Sequence, residues 1–375
     1  MRNTVIIFIT CLFLLYSCKN TEQEQTCTLD INVDKCINES VSINEIFDEI
    51  SLIQIDSGFL ISNPSYMGSA YYTYGKEHFF ILDVISQKIH IVDSEGKYIT
   101  TDNHVGRGPG EYTLAGQIQF DDMTGLVNVL DPRGRILQYE MGENTLNFVN
   151  QISFLDYQNA AHNFHVRGND CILSNLTQTK PLSYLNLQSG EYMVLDYEIP
   201  QWYFDCWYPR PPFFGWSDRV CYLEYHDGTI YSIDKGSISP MISLDFGKST
   251  CKIWNIPTNH DADYYREWIA NGLKYVLPIF AMVRLCDTLL ALCIYRGDTC
   301  AIVYDLASGK HKFFHQTLEG LRFEPGIVVD GAMYSFVDCS TIHEYLNPEY
   351  LDSNNAEIYH DIVNNEGCGF IRYKL

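Results

Sequence analysis

The segment His104–Thr113, HVGRGPGEYT, combines three glycines with an arginine and a glutamate, which resembles the composition of phosphate-binding loops. A P-loop needs a lysine followed by Ser or Thr, and a dinucleotide-binding fingerprint needs GxGxxG at the start of a helix. Here no lysine follows, Pro109 lacks an amide donor, and the next residues read as a strand. We therefore expect no phosphate chemistry. Arg107, Glu111 and Tyr112 are candidates either for a ligand contact or for a structural contact.

A second candidate is the segment Pro200–Trp216, which holds eight aromatic residues and four prolines among seventeen positions. Trp and Tyr rings offer flat apolar faces with a polar edge, which suits stacking on sugars or packing against a peptide. Arg210 would orient an anionic group of such a ligand. The alternative is a hydrophobic cover for the folded domain. The candidate binding residues in this segment are Trp202, Tyr203, Trp207, Tyr208, Arg210 and Trp216.

Local signatures of catalysis are missing from the sequence. The chain has no GxSxG, HExxH or CxxC, so hydrolytic triads and local zinc sites have no support. Asn259–Asp263, NHDAD, carries ligand-type side chains, but the start of a helix explains them as well. We assign no catalytic residue and predict no cofactor. A divalent cation held by distant parts of the chain would leave no local motif, so the metal content stays open.

The elements that would position these candidates repeat along the chain after residue 50. Short apolar runs alternate with Gly, Asp, Asn or Ser turns, as in HFFILDV, IHIVD and YITT near the start and GIVVDG, AMYSFVD, TIHEYL and CGFIRYKL at the end. Four such runs make a unit of roughly 40 to 55 residues, which is typical of a β-propeller blade. Six units predict an all-β, six-bladed β-propeller of four-stranded antiparallel blades, with seven blades as the main alternative. Glu49–Asp56 is expected to close the ring by joining the blade made by the C-terminal residues.

Two segments interrupt the repeat. Thr258–Leu277 has apolar residues at helical spacing, so one inserted helix near 260–275 is expected between blades four and five. Pro200–Trp216 is expected to connect blades three and four. The glycine-rich segment falls between the first two units. Because it crosses from the rim of one blade to the hub of the next, Arg107 and Glu111 are expected near the central axis, where they lock two blades together or contact a ligand.

Val105–Tyr112, VGRGPGEY, followed by Gln117–Glu140, resembles the six-bladed β-propeller lipoproteins of Gram-negative anaerobes, which are NHL-like propellers of largely unknown function. Val41–Asp56, VSINEIFDEISLIQID, is similar to the start of the propeller in that family. The resemblance supplies no catalytic residues. NHL-like relatives include metal-dependent lactonases and lyases, so it also implies an alternative function, a metal-assisted enzyme with a cation in the central channel.

The first residues predict export. Arg2 precedes an apolar run, Val5–Leu15, that is too short to span a bilayer of about 30 Å and is typical of a signal peptide. Leu15–Cys18, LYSC, resembles a bacterial lipobox in which Cys18 carries the lipid; an ordinary signal peptide is the alternative. The predicted organisation is a signal peptide over 1–17, a tether over 18–40 and a single propeller domain over 41–375.

The charge balance excludes one class of partner. Asp and Glu number 47 against 25 Lys and Arg, giving a net charge of −22, and the sequence contains no basic run. A nucleic-acid surface needs basic side chains that neutralise phosphates. We therefore expect no nucleic-acid binding.

The cysteines predict buried thiols. Of 13 cysteines, 11 remain once Cys11 leaves with the signal peptide and Cys18 carries lipid, and most of these lie in apolar runs. A two-residue turn at Arg296–Gly297 would place Cys293 opposite Cys300, where a disulfide is the alternative to two free thiols.

Together these observations predict a non-catalytic binding module in the cell envelope, anchored by lipid at Cys18 to the outer membrane and facing the periplasm or the cell surface. Its ligand, a protein, a peptide or a glycan, is expected to contact one face of the propeller. The metal-assisted enzyme is the alternative.

Overall fold

The structure is a computed structural model of the 375-residue chain. It describes residues 26–56, 61–62, 71–154, 161–175, 178–199, 212–216, 219–225, 228–250 and 275–375. Within these residues the chain forms six antiparallel sheets of four strands, one of which gains a fifth, parallel strand. The sheets are the blades of a propeller, so the predicted fold class is confirmed.

The strands follow the order of the chain. The N-terminal elements are β1 (Cys27–Asp30), helix α1 (Val33–Cys36), a 3-10 turn (Ile43–Glu45) and β2 (Glu49–Gln54). Blade one comprises β3 (Tyr72–Gly75), β4 (His78–Asp83), β5 (Lys88–Asp93) and β6 (Tyr98–Asp102). Blade two comprises β7 (Gln117–Asp121), β8 (Leu126–Asp131), β9 (Arg135–Met141) and β10 (Leu146–Ser153). Blade three comprises β11 (Asn163–Arg167), β12 (Asp170–Ser174), β13 (Leu182–Asn186) and β14 (Tyr192–Val194).

The second half continues in the same way. Blade four comprises β15 (Phe213–Trp216), β16 (Arg219–Leu223), β17 (Thr229–Asp234) and β18 (Ser237–Asp245), followed by a 3-10 turn (Gly247–Ser249). Blade five comprises β19 (Val276–Leu285), β20 (Thr288–Tyr295), β21 (Asp298–Asp305) and β22 (His311–Phe314). Blade six contains β23 (Ile327–Val329), β24 (Ala332–Asp338), helix α2 (Ile342–Tyr345), a 3-10 turn (Pro348–Tyr350), helix α3 (Ser353–Asn364) and β25 (Cys368–Lys374).

An aspartate at the end of a strand begins several of the turns. Asp83, which ends β4, accepts hydrogen bonds from the backbone N–H groups of Ile85 and Ser86 at 3.0 and 3.1 Å. Asp305 and Asp338 make equivalent contacts in blades five and six. A short carboxylate side chain can bond its own backbone two or three residues on, which favours a turn over continued strand. This is why apolar runs in the sequence so often end in Asp.

The ring closes through β2. This strand pairs antiparallel with β25, and Glu49 lies opposite Lys374. The innermost strands of the blades contact one another in a full circle, from β3 through β23 and back to β3. Between blades six and one, the rings of Phe370 and Phe79 stack with their centroids 4.2 Å apart. The predicted closure by Glu49–Asp56 is confirmed, and both ends of the chain hold the sixth blade together.

Residues 27–47, here called the N-terminal strap, run along blades four, five and six. β1 pairs in parallel with β18 and gives blade four its fifth strand. The backbone N–H of Asn32 then donates to His311 Nε2 of blade five at 3.1 Å. Further along, Ser42 Oγ donates to Glu319 Oε1 at 2.5 Å, just before β2 joins blade six. The strap therefore links three blades from outside.

The predicted tether over 18–40 is wrong for its second half. Leu29, Ile31 and Val33 are buried in the core that blades three, four and five share. These apolar residues alternate with polar ones, so the segment has the period of a half-buried strand. Its polar content hid that pattern, and the propeller domain starts near Cys27 rather than at 41.

The helices also differ from expectation. TIHEYL, expected as a strand, contains helix α2. Helix α3 was not expected; Asp352 caps it by accepting from the N–H of Asn355 at 2.9 Å. The Asn355 side chain in turn accepts from the N–H of Leu52 at 2.7 Å, which fixes α3 against β2. The helix predicted near 260–275 lies outside the described residues, apart from Tyr275 at its end, which is not helical.

Blade four contains a strand that the sequence analysis assigned to a connection. Phe213–Trp216 is β15, the inner strand, with Phe213 opposite Tyr222 and Trp216 opposite Arg219 in β16. The connection between blades three and four therefore ends before Phe213. The prolines and the glycine around this short strand hid its pattern.

The predicted register of the cysteines is confirmed. Cys293 lies directly opposite Cys300 in the hairpin of β20 and β21, which turns at Arg296–Gly297. Both thiols are buried and free, so the alternative disulfide is not formed.

Apolar side chains between neighbouring blades form the core. Between blades one and two, for example, Phe80 stacks on Phe120 with the ring centroids 6.1 Å apart. Each blade buries both faces in this way, which a single blade could not do alone. In the described part of the chain, no helix has the length and apolar character needed to cross a bilayer.

Candidate functional site

The inner strands of the six blades enclose a cavity of about 520 Å³ in the central channel. Each blade contributes to its wall, and representative lining residues, from blade one to blade six, are Tyr74, Gln119, His165, Phe214, Met282 and Val328. A cavity of this size falls in the range of about 300 to 1,000 Å³ that ligand sites occupy. The channel is therefore the candidate site.

Two glutamines fix the wall between blades two and three. The backbone N–H of Phe164 donates to Gln117 Oε1 at 2.8 Å, and Gln117 Nε2 donates to the Phe164 carbonyl oxygen at 3.1 Å. Gln119 makes the same two bonds with Val166, at 2.7 and 3.0 Å. Each side-chain amide thus makes the two hydrogen bonds that a neighbouring strand would otherwise make with the free edge of β11. Because buried backbone groups must be paired, this arrangement holds the inner strands in register.

Asp121 continues this series at the end of β7. Its carboxylate accepts from the N–H of Gly168 at 3.1 Å and from the hydroxyl of Thr124 at 2.6 Å. Gln117, Gln119 and Asp121 lie on one face of β7, so they meet every second residue of β11. These bonds position the two residues that alternate with the bonded ones. His165 lies between Phe164 and Val166, and Arg167 lies between Val166 and Gly168.

Three arginines from successive blades line the cavity. Arg167 ends the inner strand of blade three, Arg219 follows the inner strand of blade four, and Arg284 lies near the end of the inner strand of blade five. All three lie at the end of the channel where the first turn of each blade is found, here called the mouth. With Asp122 of blade two, they define the mouth's charged wall.

Contacts with Cys286, Asp287 and Trp216 hold the side chain of Arg284. Its Nε donates to the carbonyl oxygen of Cys286 at 2.8 Å, and Nη2 donates to Asp287 Oδ1 at 3.0 Å. The guanidinium carbon lies 4.8 Å from the centroid of the Trp216 ring, within cation–π distance. These contacts fix the guanidinium plane, so the arginine is preorganised at the mouth.

The positive charges at the mouth act on a buried neighbour. Burial raises the pKa of Cys221 to about 12, while the charges of Arg219 and Arg284 oppose that rise. Both arginines are therefore close enough to the same thiol to share one electrostatic environment. Cys221 itself is fully buried and its thiol stays protonated.

His165 adds a neutral polar group to the channel. Loss of solvation lowers its pKa to about 4, with the positive charge of Arg167 adding to this effect and Asp121 opposing it. At neutral pH the imidazole therefore carries no charge. It can offer one donor and one acceptor to a ligand.

Acidic groups lie on the other side of the ring. Loss of solvation, followed by the negative charges of Asp121 and Asp330, raises the pKa of Asp122. Asp122 and Asp330 belong to the first turns of blades two and six, which flank blade one. Blade one itself contributes Tyr74, whose ring stacks on Tyr334 with centroids 5.9 Å apart. Among the described residues, the mouth thus carries arginines on blades three, four and five, with Asp287 beside Arg284, and aspartates on blades two and six.

The glycine-rich segment lies elsewhere. Tyr112 is fully buried, and its hydroxyl donates to the carbonyl oxygen of Gln87 at 2.9 Å. The carboxylate of Glu111 accepts from the N–H of Gly108 at 2.7 Å within the loop. Arg107 is exposed. These contacts are those of a structural turn.

The expected position of this segment near the axis is corrected by its packing partners. The hydroxyl of Tyr139, in β9, donates to the carbonyl oxygen of Gly110 at 3.0 Å. Phe148, in the outermost strand β10, lies so close that a Cβ on Gly110 would be 2.5 Å from its ring. The chain therefore makes its turn against the outer strands of blade two before it enters β7. Arg107 and Glu111 are not among the residues that line the cavity.

The aromatic candidates are divided by the described range. Trp216 lies in β15 and contacts Arg284, as given above. The other members, Trp202, Tyr203, Trp207, Tyr208 and Arg210, lie outside the described residues.

Sequence reasoning missed the charged residues of the mouth, although a signal exists. In three successive units an arginine lies next to the first turn, in HVRGN, WSDR and VRLCD. Recognising it requires knowing which strand of each unit is innermost. Among the described residues, no group of three or more His, Cys, Asp or Glu side chains is arranged to hold a metal ion.

Comparison with known proteins places the chain in a family. A family model described as a domain of unknown function, DUF4934, matches residues 28–365. The chain belongs to the DUF4934 family. The match begins inside β1, in agreement with the position of the strap in the fold. No curated protein matches the chain.

A solved structure shares the fold of this DUF4934 chain. A protein of Bacteroides fragilis whose export is inferred superimposes with a TM-score of 0.67 at 13% identity. The alignment covers 92% of this chain and 98% of that one. BamB from Moraxella catarrhalis gives a TM-score of 0.41 at 10% identity, covering 71% and 68%. At 13% identity, the likeness to the Bacteroides fragilis protein shows the fold alone.

Proposed function

We propose that this DUF4934 protein is a binding module that acts outside the cytoplasm and holds its ligand at the mouth of the central channel. The observation that carries the proposal is the convergence of Arg167, Arg219 and Arg284 on one cavity of about 520 Å³. Three guanidinium groups from three blades bring planar sets of hydrogen-bond donors to one partly enclosed space, which suits the binding of a polar ligand.

The groups at the mouth favour binding over catalysis. A general base works best when its pKa lies near the working pH, whereas loss of solvation lowers the pKa of His165 to about 4. Asp121 is bonded to backbone and hydroxyl donors of two blades and so serves the fold. The arginines suit recognition by hydrogen bonds and charge.

The location rests on the N-terminal sequence and on the exported relative of similar fold. The apolar run and the LYSC motif support a lipoprotein whose Cys18 carries lipid in the outer membrane, and the resemblance over Val105–Glu140 supports an NHL-like propeller. Growth of expressing cells with a labelled fatty acid tests this directly. Label should appear on the wild-type protein and be absent from Cys18→Ser; an unlabelled wild type would contradict lipid anchoring.

The aromatic residues before β15 are part of the proposed ligand surface on sequence grounds. Trp202, Trp207 and Tyr208 precede, in the chain, the strand whose residues Phe213 and Phe214 line the cavity. Trp207→Ala is expected to weaken binding of any ligand found at the mouth.

The test of the proposed site is steric. Val328, on the inner strand β23, lines the cavity with 38% of its surface exposed. Val328→Trp would narrow the channel without changing its charge, and Val149→Trp, on β10 and 49% exposed, is the matched control outside the channel. Glycan and peptide arrays should show a bound ligand with wild type and with Val149→Trp but not with Val328→Trp. Equal binding by all three proteins would place the site elsewhere.

A further inference from the structure

We propose that the channel binds a primary carboxamide group of its ligand at the backbone of Gly215, in the inner strand of blade four. This inference rests on the proposed function, because it names the chemistry that the ligand presents to the same cavity. It is carried by a comparison of two seams, here meaning the contacts between the inner strands of neighbouring blades. The seam between blades two and three contains a carboxamide, and the seam between blades three and four has a place for one.

The first seam shows how a carboxamide fits an inner strand. The N–H of Val166 donates to Gln119 Oε1 at 2.7 Å, and Gln119 Nε2 donates to the Val166 carbonyl oxygen at 3.0 Å. The oxygen and the nitrogen of a primary carboxamide lie side by side, so one such group can pair both the donor and the acceptor of a single residue. The edge of an inner strand in this propeller is therefore able to bind a carboxamide.

Gly215 has the place in blade four that Val166 has in blade three. Each lies one residue before the end of its inner strand, and in both blades two residues separate that strand from the next. The carbonyl oxygen of Pro212 accepts from the N–H of Leu223 in β16 at 2.8 Å, so Pro212 points toward β16. Because the backbone groups of successive residues point alternately to the two sides of a strand, those of Gly215 point away from β16. The backbone edge of Gly215 therefore faces the hub, as that of Val166 does.

His165 has the place in blade three that Gln119 has in blade two, two residues before the end of the inner strand. Phe164 packs in the core between blades two and three, so His165, its neighbour in the strand, faces blade four. Within the described part of the chain, His165 makes no hydrogen bond with Gly215. The two nitrogens of an imidazole point in diverging directions, so the ring cannot pair the N–H and the C=O of one residue at once. Both groups of Gly215 are therefore available to a ligand.

Gly215 also leaves room for that ligand. It is exposed and lines the cavity, and a Cβ added to it would meet no atom within 4 Å. Gly75, on the inner strand of blade one, differs because a Cβ there would collide with the ring of Phe120. Packing thus explains the glycine at position 75 but not the one at Gly215. A glycine inside a strand is typical of a place where a ligand comes close to the backbone.

The open space lies in the seam itself. Trp216 contacts Arg284 of blade five, so Gly215, the preceding residue of β15, faces blade three and His165. A carboxamide entering here accepts from the Gly215 N–H with its oxygen and donates to the Gly215 carbonyl oxygen with its nitrogen. The side chains of glutamine and asparagine carry this group, and Gln119 shows that glutamine fits. The ligand class is therefore a free amino acid amide or a peptide that presents such a side chain.

The experiment follows the Gly215 N–H by NMR in the whole mature protein with isotope-labelled glycine, and Gly215→Ala identifies its signal. L-Glutamine and a glycine–glutamine–glycine peptide should shift this signal. At about 10 mM probe and a Kd of about 1 mM, they should also slow its exchange with solvent about tenfold, because exchange requires the unoccupied site. The matching γ-methyl esters keep the acceptor but have no N–H donor, and they should do neither. A response to the peptide alone identifies a peptide side chain as the source of the carboxamide, and a response to both probes identifies the carboxamide as sufficient.

One variant supplies the carboxamide from the chain itself. In His165→Gln the Gly215 N–H should exchange slowly without any ligand, and binding of L-glutamine should weaken by about tenfold or more. His360→Gln, at an exposed position of α3 outside the cavity, is the matched control and should respond to glutamine as wild type does. The other glycine signals show whether each variant is folded. Gly215→Val fills the space beside the strand and, as a second variant, should lose glutamine binding in ligand-detected NMR.

The failures are distinguishable. Equal responses to the amides and the esters, no response to either amide, or unchanged glutamine binding in His165→Gln would overturn the inference. A response to N-acetylglucosamine, a secondary amide, without a response to glutamine would overturn it as well. A ligand blocked by Val328→Trp but unaffected by His165→Gln would keep the channel as the binding site and remove only the carboxamide assignment. A ligand that Val328→Trp does not block would instead contradict the proposed function.

Discussion

The side-chain amide of Gln119 and the backbone of Val166 form a reciprocal pair, in which the Val166 N–H donates to Oε1 at 2.7 Å and Nε2 donates to the Val166 carbonyl oxygen at 3.0 Å. A backbone edge that faces the hub has no neighbouring strand. Gln119 supplies both hydrogen-bond partners from the neighbouring blade. Between blades two and three, side chains therefore pair the backbone groups of the channel wall that have no neighbouring strand.

Replacement of Gln119 should therefore cost stability. Gln119→Leu leaves one backbone donor and one acceptor of Val166 without a partner, and we expect a loss of about 1 to 3 kcal/mol in the free energy of unfolding. Gln119→Glu keeps the acceptor and should fall between leucine and wild type. Urea unfolding followed by fluorescence measures both. Gln188→Leu, at an exposed position with a single side-chain bond to Asn169, is the control and should change stability by less than about 0.5 kcal/mol.

The N-terminal strap should behave as part of the core. Ile31 is 2% exposed, whereas Ile85, in a turn of blade one, is 61% exposed. Ile31→Ala should lower the free energy of unfolding by about 2 to 5 kcal/mol, as expected for a buried isoleucine. Ile85→Ala should have an effect of less than about 0.5 kcal/mol. If the two variants were equally stable, residues 27–40 would act as the tether that the sequence suggests.

The repeat of the blades was predictable from local signals. Apolar runs of period two that end in an aspartate, as at Asp83 and Asp305, combine strand propensity with a turn that the side chain stabilises. Ring closure was predictable too, because Glu49–Asp56 and the last apolar run each lack a partner in sequence. The strands and their turns depend on residues close to one another in the chain, whereas the closure joins the two ends of the domain.

The mouth was not predictable in the same way. Arg167, Arg219 and Arg284 belong to three blades, and only the closed ring brings them together. The glycine-rich segment was misplaced because its composition predicts a turn but does not say whether that turn packs on the hub or on the outer strands. Helix α3 was missed since its mixed polar sequence has only the cap at Asp352 as a clear signal.

The buried carboxylate of Asp83 should make stability depend on pH. Burial alone would raise its pKa, but hydrogen bonds from Ser62 and Ser86 outweigh that effect and lower the pKa to about 2. The unfolded value is about 3.9, so the unfolded chain binds the proton first as the pH falls. The stabilisation is complete above about pH 5 and is lost between about pH 4 and about pH 2.

Asp83→Asn removes this dependence. The free energy of unfolding of wild type relative to Asp83→Asn should fall by about 1 kcal/mol between about pH 6 and about pH 3, and by about 2 kcal/mol once the carboxyl is protonated in both states. Chemical unfolding at a series of pH values measures the difference. If the difference in free energy of unfolding between wild type and Asp83→Asn stayed constant across this pH range, the lowered pKa of Asp83 would be contradicted.

Gly110 tests the role of the glycine-rich segment as a turn packed on blade two. Its φ is +74°, the same as that of Gly190, but only at Gly110 would a Cβ meet a neighbour, 2.5 Å from the ring of Phe148. Alanine at either position is strained by the positive φ, by about 1 to 2 kcal/mol. Gly110→Ala should lose about 1 to 3 kcal/mol more than Gly190→Ala, because the added methyl group overpacks the contact with β10. In Gly110→Ala combined with Phe148→Ala, that extra loss should largely disappear in a double-mutant cycle. If the two alanine variants lost equal stability, the loop would accommodate the added methyl group without strain. The packing of Gly110 on Phe148 would then not stabilise blade two.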